Sequence, residues 1–327
     1  MPSPSSSLAT LRPDLTGSLE EFDLAMDRLG FVGLRVAPAF DAGKSTGTFG
    51  RIPVEQLLQS RDTERAPGSG YARSNFTFTT DSYTTTEHGA EEPVDDNEAQ
   101  NYKDYFDAEL IAKERAFDAV LRNHEQRVAN LVFNSTTWTG ASLTTAITHE
   151  WDDATNAVPI TDIEAAVRKV WSGSGIWPNT LIINRHVFRN LRLCQQVKDA
   201  ISASGAGMPN RLDDINEAML AKVFDIPNII VAGGATNSAA EGQSVSMGKI
   251  WSDEYAMVCH ISDSNDLRRP TLARTFHWSE DGSQVGGTAE SYRDESKRSD
   301  IIRVRHQVGE KVMYTEVGHL LSNVTTI

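Results

Sequence analysis

The sequence predicts an α+β fold, and three observations support this prediction. Residues 41–88 are rich in Gly, Ser and Thr and contain the alternating run Asn75–Thr79, which is typical of a strand with two unlike faces. Residues 97–133 carry apolar side chains at steps of three, four and seven, which predicts one long helix with a buried face. The middle of the chain alternates helix and strand signals, which is typical of an α/β or an α+β domain, and the last section returns to strand patterns.

Composition and charge limit the possible functions. The 327 residues are 39% hydrophobic and 23% charged, which is typical of a folded globular chain. The 45 acidic and 31 basic residues give a formal charge of −14, so gripping nucleic acid phosphates is not the main role. No signal peptide and no long apolar run are present, which predicts neither secretion nor membrane insertion. The apolar neighbours of Cys194 and Cys259 favour two buried, reduced thiols.

The first third of the chain lacks enough apolar residues to form its own core. Residues 1–40 read as an extended arm with one short helix, Ser18–Leu29, which ends at Gly30. Residues 41–88 read as a long β-hairpin with a turn at Arg65–Gly70. Such a hairpin needs burial elsewhere, and a neighbouring subunit is its natural partner.

The long helix has clear start and packing signals. Asp95 can cap its N-terminus, with Glu98 at the capping-box position. The pairs Glu109–Lys113 and Asp118–Arg122 predict a solvated face. The predicted buried face consists of Phe106, Leu110, Phe117, Leu121, Val128 and Leu131.

The second half of the chain predicts a mixed domain followed by a closing hairpin. A capping box at Thr161 and Glu164 predicts a helix start there. Further predicted elements are a strand at 181–184, helices at 187–193 and 212–224, and strands within 226–233 and 249–261. Near the C-terminus, residues 302–308 alternate as a strand with a basic face at Arg303 and Arg305, residues 309–311 (GEK) read as a turn, and residues 312–317 as the returning strand. We interpret the basic face as part of an intersubunit salt-bridge strip, with a contact to a nucleic acid backbone as the alternative.

Motifs for catalysis are weak or missing. The string AGKST at 42–46 is no phosphate loop, because the first required glycine is replaced by Pro38. HEWDD at 149–153 clusters possible ligands too closely in sequence to fix a metal without other partners. No HExxH, CxxC or GxGxxG is present, and the sequence predicts no strand-to-helix turn that would expose a nucleophilic serine as the GxSxG motif requires. We therefore expect no catalytic residue, no cofactor and no metal, with a soluble hydrolase that uses His149 as the alternative of a different class.

The order of these parts and several local phrases resemble the major capsid protein family of tailed bacteriophages. This family has the Johnson or Hong Kong phage-type capsid fold, which encapsulin shells also use. The phrases that carry the resemblance are Trp177–Leu193, Met219–Gly234, Lys249–Val258 and Pro270–Trp278. The resemblance implies an N-terminal arm (1–40), an E-loop β-hairpin (41–88), a peripheral P-domain with a spine helix (89–150 plus 290–327) and an axial A-domain (151–289).

The resemblance also implies the function. The chain is expected to self-assemble, as hexamers and pentamers, into an icosahedral head shell that encloses double-stranded DNA without sequence-specific binding. Expected partners are a separate scaffolding protein, a portal and a decoration protein, and the expected location is the virion capsid, with the host cytoplasm during assembly. An encapsulin-like compartment is the alternative with the same fold. The expected intersubunit contacts are Phe76, Phe78, Tyr83, Arg303 and Arg305.

Overall fold

The chain forms two main β-sheets that share a hydrophobic core. A computed structural model describes residues 10–11, 30–51, 53–61, 63–71, 73, 75, 77–102, 108–203, 215–240 and 242–326. The described helices are α1 (Gly33–Val36), α2 (Val54–Leu57), α3 (Asp96–Tyr102), α4 (Ala108–Val132), α5 (Pro159–Ser174), α6 (Arg185–Leu193), α7 (Gln195–Ala203) and α8 (Glu217–Phe224). The described strands are β1 (Thr10–Leu11), β2 (Ala39–Asp41), β3 (Thr46–Arg51), β4 (Thr79–Thr84), β5 (Thr86–Asp95), β6 (Thr144–Ala146), β7 (Thr180–Asn184), β8 (Asn228–Ala232), β9 (Ala235–Asn237), β10 (Met247–Lys249), β11 (Ala256–Cys259), β12 (Ala273–His277), β13 (Thr288–Asp294), β14 (Ser299–Val312) and β15 (Gly318–Ser322). This mixture confirms the predicted α+β class.

The first sheet is organised around the long strand β14. Its order is β1-β13-β14-β12-β2, and β5 pairs with the opposite edge of β14. As the alternation predicted, Ile302, Val304 and Val308 face the core, while Arg303 and Arg305 face the other side. Helix α4 packs against the apolar face of this sheet through residues that include Phe117.

The second sheet carries the remaining helices. Its order is β6-β15-β11-β7-β8, and every residue of β7 is buried. Helices α5 to α8 contribute apolar side chains to one cluster with this sheet. Trp151 is fully buried in this cluster, and its indole Nε1 donates a hydrogen bond to Asp162 at 3.0 Å.

A buried carboxylate on α4 joins the start of α1 to the segment that precedes β11. Glu125 on α4 accepts hydrogen bonds from the backbone N–H of Val32 at 2.8 Å, the N–H of Gly33 at 2.6 Å and the indole Nε1 of Trp251 at 2.6 Å. Burial raises the pKa of Glu125, although the three hydrogen bonds lower it. A Cβ on Gly33 would lie 2.6 Å from Oε2 of Glu125, so a larger residue here would displace this carboxylate.

Within the described residues, the long helix differs from its prediction at two side chains. Only α3 and α4 are described in this region, and residues 103–107, including Phe106, lie outside the described residues. Lys113 is buried although a solvated face was predicted for it, and Leu110 is exposed although it was placed on the buried face. The Asp118–Arg122 ion pair is confirmed at 2.7 Å, and Asp95 accepts from the N–H of Asn97 as the predicted cap.

The predicted turn at residues 309–311 is wrong. Strand β14 continues through Gly309 to Val312, because β12 supplies a hydrogen-bonded partner for this stretch. The strand that forms the hairpin with β14 is β13, which precedes it in the chain. Residues 315–317 form a 3₁₀ turn rather than the end of a returning strand.

Two further local predictions are wrong. Helix α5 begins at Pro159, where proline is favoured in the first helical turn, so Thr161 and Glu164 lie inside it and form no capping box. Glu164 pairs instead with Arg168 one turn later. The strand predicted at Asn75–Thr79 begins only at Thr79, because the pairing with β3 stops there.

The predicted domain boundaries stay a prediction, and the sheets exchange strands across them. Strand β12, within the predicted A-domain, lies in the first sheet, while β15, within the predicted P-domain, lies in the second. The predicted helix Ser18–Leu29, most of the arm, Phe76 and Leu212 lie outside the described residues.

Replacing the buried carboxylate should destabilise the subunit strongly. Glu125→Ala leaves three buried N–H donors without an acceptor, which costs about 1–3 kcal/mol for each donor. We expect the free energy of unfolding, measured by urea denaturation of the unassembled subunit, to fall by about 3 kcal/mol or more. The matched control is Glu114→Ala at a half-buried position of the same helix, where we expect a change below about 1 kcal/mol. Equal losses in both variants would contradict this role of Glu125.

Candidate assembly surfaces

An antiparallel hairpin, β3–β4, is seated on the first sheet by aromatic stacking. The ring of Tyr83 lies 4.4 Å from that of Phe276, with 3° between the ring planes. Phe40 meets Phe276 edge-on at 5.4 Å. Gly47 leaves room for this arrangement, because a Cβ there would lie 2.7 Å from the Tyr83 ring. These contacts fix the base of the hairpin within its own subunit.

Polar contacts hold the same base. The ammonium of Lys311 donates to Asp81 and to the carbonyl of Ser82. Arg51 pairs with Glu316 at 2.9 Å and lies over the Tyr314 ring. All these partners belong to β14 or follow it directly, so the hairpin is tied to the strand at the centre of the first sheet.

In the far part of the hairpin, the described residues between Leu58 and Phe78 are exposed, and several of them are large and apolar. The predicted turn is present, with the N–H of Ser69 bonded to the carbonyl of Ala66. Tyr71, Leu58 and Phe78 are all exposed, and the exposed fraction of Phe78 is 68%. Large apolar side chains in an exposed extension are typical of surfaces that another molecule covers.

The predicted contact residues of the hairpin occupy different positions. Phe78 is exposed and available to a neighbour. Tyr83 is half-buried and stacked inside its own chain, and its hydroxyl donates to the carbonyl of Lys44 at 3.2 Å. The intersubunit roles of both residues, and of Phe76, stay predictions.

The basic face of β14 is neutralised within the chain. The guanidinium of Arg305 pairs with Glu290 at 2.8 Å and with Asp281 at 2.9 Å. Arg303 also pairs with Glu290, and it lies 3.8 Å from Glu91 on the other neighbouring strand. The hydrogen bonds and charges of the two arginines outweigh burial and lower the pKa of Glu290. Intersubunit roles of Arg303 and Arg305 stay predictions, and within the subunit these residues join three strands.

A cluster of buried histidines lies where α4 crosses β14. The ring centroid of His306 lies 6.0 Å from that of His124 and 5.9 Å from that of His88. Nδ1 of His306 donates to the carbonyl of Val285, while its Nε2 has no partner. Glu310 accepts two hydrogen bonds from Arg127 beside this cluster. Burial lowers the pKa of His124 to about 3 and that of His306 to about 4.

The candidate chemical groups do not converge on a site. In HEWDD, Trp151 is a core residue, while His149, Asp152 and Asp153 are exposed. The described residues contain no group of three His, Cys, Asp or Glu side chains that could hold a metal. Cys194 and Cys259 are both buried and free, and burial raises the pKa of the Cys194 thiol to about 11. No helix in the described ranges is long and apolar enough to cross a membrane.

Sequence comparison relates the chain to phage capsid proteins. It is 22% identical over 294 residues to a major capsid protein of Pseudomonas phage JBD67, covering 88% of this chain and 90% of the relative. It is 26% identical over 205 residues to a major capsid protein of Burkholderia phage BcepMu, covering 62% of this chain and 63% of that relative. No protein-family model matches the chain.

Solved structures show the fold. A phage-related protein from Bordetella bronchiseptica matches with a TM-score of 0.69 and 18% identity, covering 97% of this chain and 98% of that one. The capsid of the myovirus XM1 matches with a TM-score of 0.54 and 10% identity, covering 90% of this chain and 92% of that one. The resemblance to the tailed-phage major capsid proteins is confirmed. The hairpin β3–β4 and its extension lie within residues 41–88, the E-loop predicted from the sequence, and they are called the E-loop below, while the assignment itself stays a prediction.

Glycine at position 309 should be required for seating the E-loop. A Cβ added there would lie 2.1 Å from the carbonyl oxygen of Thr84, whereas a Cβ on Gly50 would meet nothing within 4 Å. Overpacking costs about 1–3 kcal/mol, so in Gly309→Ala we expect amide exchange in β4 to accelerate by roughly tenfold or more. Gly50→Ala is the control in the same loop and should exchange like the wild type. Unchanged exchange in Gly309→Ala would contradict the observed approach of the two strands.

The histidine cluster should make the subunit sensitive to acid. Because the pKa values of His124 and His306 are lowered from 6.5, the unfolded chain binds more protons below pH 6.5 and stability falls as the pH drops toward about 4. Each histidine contributes at most about 1.4 kcal/mol per pH unit in this window. His306→Asn, which keeps a donor near the Val285 carbonyl, should flatten the acid limb of stability against pH. The exposed His149→Asn should leave it unchanged, and identical slopes in all three proteins would refute the assignment.

Proposed function

We propose that this chain is a major capsid protein that self-assembles into the closed icosahedral shell of a tailed phage head. The observation that carries the proposal is the E-loop: its base is fixed to the first sheet, while its apolar far part is exposed. A single subunit gains nothing from exposing such side chains. A shell of identical subunits covers them repeatedly, since each E-loop meets the next copy.

The energetics of the proposed shell rest on many small contacts. Each large apolar side chain of the E-loop that becomes fully buried against a neighbour contributes about 1.5–3 kcal/mol. Closed symmetry repeats this contact around every capsomer, so weak pairwise interfaces give a stable assembly. The formal charge of −14 per subunit opposes assembly, and salt screens this repulsion.

The finer assignments also belong to this proposal. The arm (1–40), E-loop (41–88), P-domain (89–150 plus 290–327) and A-domain (151–289) are the proposed divisions of the chain. The subunits form hexamers and pentamers with a separate scaffolding protein, a portal and a decoration protein, first in the host cytoplasm and then in the virion. The enclosed molecule is double-stranded DNA, held without sequence-specific contacts. The subunit performs no catalysis.

The direct test is assembly of the purified chain. We expect size-exclusion chromatography and negative-stain electron microscopy to show shells, capsomer rings or tubes. Light scattering should increase when salt is raised from low to physiological strength, because screening weakens the repulsion. A monodisperse monomer or dimer that persists with added salt and with a scaffolding partner would refute the proposal.

A single substitution in the E-loop should separate assembly from folding. Phe78→Asp places a charge on a side chain that is 68% exposed in the free subunit. We expect the free energy of unfolding of the unassembled subunit to change by less than about 0.5 kcal/mol. Assembly, measured by light scattering, should be lost because the charge would have to be buried at the interface. Normal shells from this variant would show that Phe78 is not a contact.

A further inference from the structure

A crevice opens at the carboxyl ends of two neighbouring strands of the second sheet. Strands β7 and β8 run parallel, with Asn184 opposite Ala232 at their ends. The residues that follow them, Arg185 and Gly233, begin the two walls. Two adjoining cavities of about 420 and 750 Å³ lie here and share Arg185, Phe188, Gly233 and Gly234. In open sheets this edge is a common place for a binding crevice.

The floor of the crevice is bare backbone. Gly233 donates its N–H to the carbonyl of Gly30 at 2.8 Å, and a Cβ on Gly30 would lie 2.8 Å from the Cα of Gly233. Gly234 has a φ of 89°, which favours glycine. The backbone of Gly233 and Gly234 thus forms this part of the lining without Cβ atoms.

The walls of the crevice are predominantly cationic. Its lining contains one acidic side chain, Glu217, among the residues that the structure describes. The basic side chains of the lining are Arg35, Arg185, His186, Arg189, Arg192 and Lys249. A concentration of cations is unexpected in a chain with a formal charge of −14, so the crevice is locally opposite in charge to the molecule as a whole.

Two of these arginines form no salt bridge within the described residues. Lys249 and His186 both contact Asp253, and Arg192 lies over the Phe188 ring at 5.2 Å. Arg185 and Arg189 are exposed, one turn apart on α6, and neither has a salt bridge within the described parts of the chain. In contrast, the exposed Arg168 and Arg268 each pair with a nearby carboxylate. The two guanidinium groups of α6 thus remain available for an external anion.

We propose that this cationic crevice, defined by Arg185, Arg189 and the Gly233–Gly234 floor, binds carboxylates of a second copy of this chain during assembly. The inference rests on the proposed function and names a second contact besides the E-loop. Charge complementarity selects the partner, because another subunit is itself strongly acidic and exposes carboxylates such as Glu295. Guanidinium groups pair with carboxylates in bidentate geometry, and arginine beside an aromatic ring is typical of protein interfaces. The acidic remainder of the subunit opposes a nucleic acid in the same place.

The test reverses the charge of the crevice. Arg185→Glu together with Arg189→Glu changes the formal charge by −4, from −14 to −18. The control, Arg168→Glu together with Arg268→Glu, makes the same change at exposed positions outside the crevice. Both proteins and the wild type are assembled at one physiological salt concentration, and the assembled fraction is measured by sedimentation and electron microscopy. We expect the crevice variant to assemble at least tenfold less than the control, and Arg185→Lys with Arg189→Lys to recover part of the loss.

The possible outcomes separate this inference from the proposed function. If the wild type and the crevice variant form shells equally well, the inference is overturned and the proposed function stands. If the wild type forms no assemblies, the proposed function fails and the inference fails with it. Equal losses in the crevice variant and the control would trace the effect to net charge and overturn the inference.

A second measurement adds a fluorescently labelled 20-base-pair DNA duplex to the unassembled subunits. If only the crevice variant loses DNA binding while its assembly stays intact, the crevice binds nucleic acid and the inference is overturned. Urea denaturation establishes that each variant is folded.

Discussion

The position of Glu125 is the constraint on which the rest of the fold depends. Its carboxylate accepts hydrogen bonds from the backbone N–H groups of Val32 and Gly33, at the start of α1, and from the indole N–H of Trp251. A buried carboxylate without hydrogen-bond donors would strongly destabilise the fold, and the three buried donors would in turn lack an acceptor without the carboxylate. Helix α1 leads directly into β2, and β2 leads to the E-loop. Glu125 therefore fixes the start of the segment that leads into β2 and then into the E-loop.

Hydropathy patterns predicted the elements whose burial follows directly from the order of apolar and polar residues along the chain. The alternation of β14 and the apolar run of β7 required no knowledge of their neighbours. The same reasoning failed at Lys113 and missed His124 and Glu125, because it assigns charged and polar side chains to the surface. Their burial depends on partners more than 90 residues away or on other elements, such as Val32 for Glu125 and Thr275 for His124. No local signal in α4 identifies such partners.

Distant partners also limited what the sequence could predict about the candidate assembly surfaces. Gly309 looks like a turn residue in GEK, yet it lies inside β14, where it pairs with β12. Glycine is needed there because the carbonyl oxygen of Thr84 lies too close to leave room for a side chain. The aromatic residues of the E-loop were equally ambiguous. The sequence correctly marked the loop as lacking its own core, but it could not separate Phe78, which is exposed, from Tyr83, which stacks on Phe276. Phe276 lies almost 200 residues away, and only the strand order brings it beneath the loop. The cationic crevice was missed for a similar reason, since Arg185 and Gly233 meet only through the parallel pairing of β7 and β8.

The firm seating of the E-loop base has a kinetic and entropic consequence. Ordering one backbone residue costs about 1–2 kcal/mol of conformational entropy, and a loose hairpin would lose this free energy at every binding event. Here the paired strands β3 and β4 are already ordered by contacts within the subunit, so in the proposed shell this part of the E-loop does not have to be ordered when another copy binds. Preorganised surfaces retain more of their contact energy as net affinity. Weak interfaces can then remain reversible while the shell grows, and incorrectly placed subunits can leave before closure fixes them.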